Sequence, residues 1–483
     1  MSKSVKILIL VCILVVSVVS SLSPIAAVIL TAVMFAGASL VLNFKKIPNY
    51  FIFLLGIILI GYAFAGRGFA YLGIPPIFIG EMVLALGLLS TLSGIAIIKY
   101  HNFPLFKVLG IFILWGTICT VPYIDDYGLF ALRDGVVWGY SLFAISVAIA
   151  MVVKRDFILA VPRWFGKWTQ WFLLLIPALL LLYRLYRNLI PRWPWGPELG
   201  VPVLNLKGGD IGVHLAGIMA FLALGLNRHF VKKSILPEWL LWTTWGITFL
   251  LVGLTSRGAF VTVIVAFSVM FGLKPFSKWV KPLFIGAIAV LVIVTFDLEF
   301  DIGLARKISY EQLENNVQSI VGNTDINALE GSKRWRILWW SKIINYTFYG
   351  EYFWSGKGYG INLASDDGFQ AFSDQSLRSP HNSHLTFLAR SGVTGLVLWT
   401  ILQVSFFLML LRNYLRSKNR KNQIWANINL WLIIYWIAFI VNGAFDVFLE
   451  GPQGGIWFWS LFGYGMALIF FNQKQRYQTL DFK

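Results

Sequence analysis

Residues 281–296 read KPLFIGAIAVLVIVTF, a stretch that is apolar on every side. A transmembrane β-strand would be shorter and would alternate apolar with polar positions, whereas a membrane helix needs a continuous apolar run. Runs of about 16 to 25 residues of this kind recur along the chain between short polar clusters, and this length lets a helix cross about 30 Å of hydrocarbon. We therefore predict an all-α, polytopic membrane protein.

The composition supports this prediction, because 58% of the 483 residues are hydrophobic and only 13% are charged. An ordinary soluble domain has about 25% charged residues. We predict about 12–14 transmembrane helices, with approximate bounds 5–21, 24–42, 50–65, 78–98, 104–121, 136–153, 168–186, 210–227, 239–254, 258–273, 281–296, 384–411, 424–443 and 456–472. The chain then divides into helices 1–11 over residues 1–296, one large loop over 297–383, and helices 12–14 with a tail over 384–483.

The basic residues predict the orientation of these helices, because connections on the cytoplasmic side of a membrane are enriched in Lys and Arg. The formal charge is +18, and lysine-rich clusters fall in alternate connections, for example at Lys45, Lys46, Lys154 and Lys274. We expect these connections and both termini to be cytoplasmic, which puts the loop 297–383 outside. The positive charge then reflects the lipid bilayer as partner and not a nucleic acid.

Arginine dominates the basic residues that remain on the outer side. Its planar guanidinium suits phosphate and diphosphate oxygens and stays charged at any physiological pH. Because Lys and Arg are usually enriched on the cytoplasmic side, positive charge on the outer side predicts a face that binds an anion. The arginines concerned are Arg67, Arg133, Arg184, Arg187, Arg192, Arg257, Arg334, Arg336 and Arg378.

Acidic residues on the same side do not form a familiar metal-binding motif. The run DLEFD at 297–301 could bind a divalent cation or form an acidic rim at the level of the lipid headgroups, and we favour the rim. Glu81, Asp134 and Glu450 are expected to make structural ion pairs. We predict neither a metal ion nor an organic cofactor.

The segment SPHNSHL at 379–385 leads from the large loop into the next membrane helix. It places His381, Asn382 and His384 where an imidazole can meet both water and a lipid-borne substrate. Histidine is suited to removing a proton from a hydroxyl near neutral pH. The alternative interpretation is that these residues only cap the start of the helix.

This segment resembles the O-antigen ligase family, whose motif has ten residues between a histidine and a glycine, usually with asparagine directly after the histidine. His381 and Gly392 match that spacing, and so do His384 and Gly395. We favour His381 because Asn382 follows it, as in the family.

Two further elements are similar to the same family. The tripeptide SRG at 256–258 resembles the element that supplies a substrate-binding arginine, here Arg257. Arg334 and Leu338 match an Arg-x-x-x-Leu element that precedes the histidine motif, and Arg336 competes with Arg334 for this role.

The resemblance implies a GT-C-like glycosyltransferase of the bacterial inner membrane. Such an enzyme moves a glycan from undecaprenyl diphosphate to an acceptor sugar on the periplasmic face, with inversion and without a metal ion. His381 would be the catalytic base, and Asn382 and His384 would contact the substrate. The arginines expected to bind the diphosphate are Arg257, Arg334, Arg336, Arg67, Arg133, Arg184 and Arg187.

Two alternatives accompany this interpretation. A ligase uses lipid A-core as the acceptor, whereas an O-antigen or exopolysaccharide polymerase uses a second lipid-linked glycan with the same donor chemistry. We predict a ligase, with the polymerase as the alternative. A flippase or transporter for lipid-linked glycans would also have many helices, but it should carry charge along the membrane interior.

Overall fold

The computed structural model describes residues 46–94, 103–194, 200–274, 300–301, 307–308 and 327–473. The predicted spans 5–21, 24–42 and 281–296, and residues 297–299 of the acidic run, lie outside the described residues. Within the described residues the protein is built almost entirely of helices, as predicted. The all-α fold class of a polytopic membrane protein is confirmed.

The helices follow the apolar runs of the sequence. They are α1 (Ile47–Ala65), α2 (Ile79–Gly94), α3 (Pro104–Ile118), α4 (Ile124–Tyr127), α5 (Leu129–Gly139), α6 (Ser141–Val153), α7 (Asp156–Leu185), α8 (Gly208–Ala223), α9 (Leu226–Phe230), α10 (Glu238–Thr255), α11 (Arg257–Leu273), α12 (Asn327–Phe348), α13 (Leu363–Asp366), α14 (Ser383–Asn419), α15 (Gln423–Gly443) and α16 (Pro452–Gln473). The strands are two-residue antiparallel pairs, β1 (Gly73–Ile74) with β2 (Ile77–Phe78) and β3 (Phe300–Asp301) with β4 (Lys307–Ile308).

Six segments of the described chain are long and apolar enough to cross a membrane. They are α1, α3 extended to Tyr127, α7, α14, α15 and α16. A seventh span is possible if α5 and α6, which meet at an angle of 46°, cross together. Three shorter apolar helices are Ile79–Leu92 within α2, α8 and α11. The count of 12–14 spans extends beyond the described residues and stays a prediction.

The middle of the bundle is formed by α8, α15 and α16. Every residue of α8 is buried, and most of α15 and nearly all of α16 are buried too. Helices that face lipid expose one apolar side, as α1, α3 and α14 do. The polar residues that begin α8 are therefore held inside protein and not against lipid.

Helix α12 lies in a smaller layer that packs on the first turns of α14. Trp339 and Ile343 of α12 contact Leu388 and Ala389 in a second apolar cluster. The carboxylate of Asp367, fully buried, accepts a hydrogen bond from the Trp339 indole at 2.7 Å. These contacts fix α12 against the end of the bundle where α8, α11 and α14 begin, which we call the site end.

Candidate active site

A cluster of charged side chains surrounds Asp446, in the turn between α15 and α16. The ammonium of Lys207 lies 3.1 and 3.3 Å from its two carboxylate oxygens. Nδ1 of His381 lies 3.5 Å from Oδ1 of Asp446, an ion-pair distance that is longer than an ordinary hydrogen bond. Arg336 donates a hydrogen bond of 3.0 Å to the carbonyl of the preceding residue, Phe445. We refer to Lys207, Arg336, His381 and Asp446 as the Asp446 cluster.

The start of α14 holds His381 in place. The side-chain oxygen of Asn382 caps the helix by accepting hydrogen bonds from the backbone of His384 at 3.0 Å and Leu385 at 3.2 Å. The hydroxyl of Ser383 donates to the carbonyl of Asp446 at 3.2 Å. His381 itself has φ +54°, a left-handed conformation that non-glycine residues adopt at a cost of about 1–2 kcal/mol. Such strain persists only where surrounding contacts enforce it.

Asp446 is ionised in this environment. Burial alone would raise the pKa of its carboxyl, but the positive charge of Lys207 and the nearby His381 imidazole hold that pKa well below its usual range. The backbone N–H of Val447 donates to Oδ1 at 2.8 Å and acts in the same direction. The charge of Asp446 therefore favours a proton on the facing Nδ1 of His381.

Two carboxylates, those of Asp446 and Asp210, raise the pKa of Lys207. Burial would lower the pKa of its ammonium, but Asp446 and then Asp210 outweigh burial and raise it. Asp210 is buried in the first turn of α8, and neither of its oxygens has a hydrogen-bond partner among the described residues. Arg67 also lies within electrostatic range of Lys207 and opposes its charge.

His384 is held differently from His381. The indole Nε1–H of Trp399 donates to Nδ1 of His384 at 3.1 Å, so this nitrogen acts as an acceptor. The ring proton then lies on Nε2, which is 2.9 Å from the carbonyl oxygen of Ile440. Both ring nitrogens are occupied, and His384 is a neutral structural residue. Of the two histidines that match the family spacing, His381 is the one left with a nitrogen available for chemistry.

Arg257 begins α11 next to the cluster. Ser256 caps this helix by accepting a hydrogen bond from the backbone of Ala259 at 3.3 Å. A β-carbon on Gly258 would lie 3.3 Å from the β-carbon of Phe445, which precedes Asp446. The glycine after Arg257 thus lets the turn approach the site closely.

The other predicted arginines lie at different distances from the cluster. Arg334 is exposed on α12, two residues before Arg336. Arg67 donates to the Tyr71 hydroxyl at 3.2 Å, and its charge and that of exposed Arg133 influence each other. Arg184 lies in the last turn of α7, and Arg187 is exposed just beyond it.

Arg378 belongs to a separate network. It forms two hydrogen bonds of 3.1 and 2.7 Å with the carboxylate of Asp134, and Arg390 contacts the same carboxylate at 2.9 Å. The prediction that Asp134 makes a structural ion pair agrees with this geometry. Glu81 accepts from the Tyr140 hydroxyl at 3.1 Å, and Glu450 accepts from Thr386 at 2.7 Å.

Sequence reasoning missed Lys207 and Asp446. Lys207 lies in the stretch NLKGGD and Asp446 in the largely apolar stretch AFDVFLEG, and each stretch precedes a buried helix. Lys207 could have been found from the sequence, because it is an isolated lysine in a connection predicted to lie outside, where lysine is uncommon. Nothing in the local sequence distinguishes Asp446 from Glu450, because only the fold shows which carboxylate meets His381.

Gly392 interrupts α14 nine residues after its first residue, Ser383. Its φ of +69° breaks the helix, and a β-carbon there would lie 2.4 and 2.5 Å from the carbonyl oxygens of Trp354 and Phe353. Gly392→Ala should therefore destabilise the protein by about 2 kcal/mol or more. The measurement is thermal unfolding of the purified protein in detergent.

Gly110→Ala on α3 is the matched control, because that glycine is helical and a β-carbon added to it would have no neighbouring atom within 4 Å. This change should be neutral or slightly stabilising. An equal loss of thermal stability in both variants would contradict the role given to Gly392.

Part of the chain that contains several of these site residues is similar to a known protein family. Residues 239–400 match a family model described as O-Antigen ligase. This range, about a third of the chain, includes Arg257, Arg334, Arg336 and His381. No curated protein matches the chain. The resemblance seen in the sequence motifs is confirmed: residues 239–400 are similar to the O-antigen ligase family.

Proposed function

We propose that this protein is a ligase-type glycosyltransferase that moves a glycan from undecaprenyl diphosphate to a sugar hydroxyl of lipid A-core. The family is one of ligase- and polymerase-type membrane enzymes. The observation that carries the proposal is the contact between His381 and the ionised Asp446, with two cationic side chains at the same carboxylate and its neighbouring carbonyl. This arrangement provides a base and an anion site side by side.

His381 acts as the base in this proposal. Asp446 keeps the imidazole proton on Nδ1, which leaves the lone pair on Nε2 to accept the proton of the acceptor hydroxyl. The hydroxyl oxygen forms a bond to the anomeric carbon while the bond from that carbon to the diphosphate oxygen breaks. The electron pair of the broken bond leaves with the diphosphate, and direct displacement inverts the anomeric centre.

The basic residues stabilise the leaving diphosphate. Lys207 and Arg336 lie in the Asp446 cluster, and Arg257 begins the neighbouring helix. Fixed cations in a partly desolvated site stabilise charge that develops in the transition state. Arg334, Arg67, Arg133, Arg184 and Arg187 are proposed to extend this positive surface toward the rest of the donor. Asn382 is proposed to contact the substrate, and it also supports the site by capping α14.

The distribution of lysine supports a periplasmic site in the inner membrane, with cytoplasmic termini. Lys154 lies between α6 and α7, and Arg416 and Lys418 lie in the last turn of α14, far along the helix from Ser383. Basic residues at that end of the bundle favour a cytoplasmic location. The site end then faces the periplasm.

The test uses purified protein with a lipid-linked glycan donor and lipid A-core as acceptor. Formation of a new glycosidic bond with inverted configuration supports the proposal. Bond formation only with a second lipid-linked glycan indicates the polymerase alternative. Translocation of the lipid-linked glycan without any new bond would overturn the enzyme assignment in favour of a flippase or transporter.

Asp446→Asn tests the pairing with His381. The amide keeps the shape but removes the charge that favours a proton on Nδ1 and balances Lys207, so kcat should fall by about 10- to 100-fold. The equivalent change in a Ser-His-Asp triad costs about 10⁴-fold, and the longer contact of 3.5 Å here predicts a smaller loss. Initial rates of transfer give the measurement.

Asp366→Asn is the control, because Asp366 is a more exposed carboxylate that pairs with Lys357 outside the cluster. Its kcat should stay close to that of the wild type. Wild-type kcat in Asp446→Asn would show that the carboxylate does not assist His381.

A further inference from the structure

Glu450 ends the short 3₁₀ helix Phe448–Glu450 that connects α15 with α16. Its carboxylate accepts a hydrogen bond of 2.7 Å from the hydroxyl of Thr386, in the first turn of α14. Burial raises the pKa of this carboxyl, and the hydroxyl of Ser379 is among the groups that oppose the rise, so Ser379 also faces Glu450. One carboxylate therefore contacts the chain both before and after His381.

The same segment, residues 446–450, makes further contacts with the start of α14. The hydroxyl of Ser383 donates to the carbonyl of Asp446 at 3.2 Å and accepts from the backbone N–H of Leu449 at 3.4 Å. Ser383 is fully buried, so these bonds are shielded from water. They fix the first turn of α14 to the segment whose Asp446 faces the ring of His381.

The backbone of His381 requires this kind of support. Its φ of +54° lies in the left-handed region, which a non-glycine residue keeps only where the surrounding contacts enforce it. The indole of Trp340 donates to the carbonyl of Pro380 at 2.8 Å and holds the chain before His381. The side chain of Asn382 caps α14 and holds the chain after it. Glu450 differs from both residues, because it links the two sides of His381 to each other.

We propose that Glu450 is a positioning residue for His381, which holds residues 379–386 so that the imidazole stays beside Asp446. This proposal rests on the proposed function, in which His381 is the base. Asp446 acts on the ring proton of His381, whereas Glu450 acts on the backbone that carries the ring. Such a residue affects the rate because a displacement of about 1 Å in a reacting group can cost about 100-fold.

Glu450→Ala should lower kcat for glycan transfer by about 10- to 100-fold and leave KM for the donor within a few-fold of wild type. Glu450→Gln keeps an oxygen that can accept from Thr386, so it should restore most of kcat. Thr386→Val removes the same hydrogen bond without removing a charge, and it should lower kcat by a smaller factor because Ser379 still faces the carboxylate. Gel filtration in detergent shows whether each variant is folded.

The main test repeats Glu450→Ala in the His381→Ala background. Without the imidazole there is no base to position, so the residual single-turnover rate should change by less than about twofold. A general structural defect would instead lower the residual rate by the same factor as it lowers the wild-type rate. The same cycle with Thr386→Val gives a second test with a milder variant.

Gln170→Ala is the matched control. Gln170 is buried, and its side-chain oxygen accepts a hydrogen bond of 2.7 Å from the backbone of Ile235, which lies before α10 and so at the end of that helix opposite to Arg257. Its loss should lower thermal stability and leave kcat at the wild-type value.

Wild-type kcat in folded Glu450→Ala, or equal fold-losses in the wild-type and His381→Ala backgrounds, would overturn the proposal. Wild-type kcat in His381→Ala would instead overturn the role of His381 in the proposed function. The two failures are therefore distinguishable.

Discussion

His381→Ala should lower kcat for glycan transfer by about 10²- to 10⁴-fold, the range that a positioned general base contributes. The loss should appear in kcat, because the cationic groups proposed to bind the donor remain. Lys207 and Arg336 contact Asp446 and the Phe445 carbonyl independently of the imidazole. Single-turnover rates with saturating donor and acceptor give the measurement.

His384→Ala is the control for this prediction. His384 bonds Trp399 and Ile440 through its two ring nitrogens, so its loss should lower thermal stability by about 1–3 kcal/mol and leave kcat within a few-fold of wild type. The opposite pattern, with transfer lost in His384→Ala and kept in His381→Ala, would show that His384 and not His381 is the base.

Asp134→Asn should destabilise the protein by about 3–5 kcal/mol, the usual cost of removing one partner from a buried ion pair. Asp134 is 7% exposed and is shared by Arg378 and Arg390, of which Arg390 is 2% exposed. Without the carboxylate, Arg390 keeps hydrogen bonds to the carbonyls of Gly358 and Ile361, which do not balance its charge. Thermal unfolding in detergent measures the effect.

A double-mutant cycle separates this charge effect from a simple loss of packing. Arg390→Gln should also destabilise, but Asp134→Asn combined with Arg390→Gln should lose clearly less than the sum of the single changes. Additive losses would show that Asp134 and Arg390 do not act as a pair.

The fold could be predicted from the sequence because apolar runs determine where membrane helices form. The predicted spans 50–65 and 424–443 agree with α1 and α15 to within three residues, whereas α14 continues eight residues beyond the predicted span 384–411. The break at Gly392 was not predicted, since the sequence analysis used this glycine only for its spacing from His381. The bend depends on loop carbonyls of Phe353 and Trp354, which are distant in sequence.

The site could be predicted only in part. His381 and Arg336 carried local signals, a histidine motif at a helix start and an arginine element in the preceding loop. The sequence favoured His381 over His384 only because Asn382 follows it, and the contacts of His384 with Trp399 and Ile440 could not be predicted. Lys207 and Asp446 are separated by 239 positions, and only packing of α8 against α15 brings them together.

The position of Asp446 also has a consequence for biogenesis. Chains are synthesised from the N-terminus, and earlier segments fold before later ones. Lys207 and His381 precede Asp446, which lies in the turn before α16. His381 and Asp446 can therefore meet only after α15 and the turn that follows it have been synthesised. If His381 is the base, as proposed, a nascent chain halted before that point is expected to be inactive.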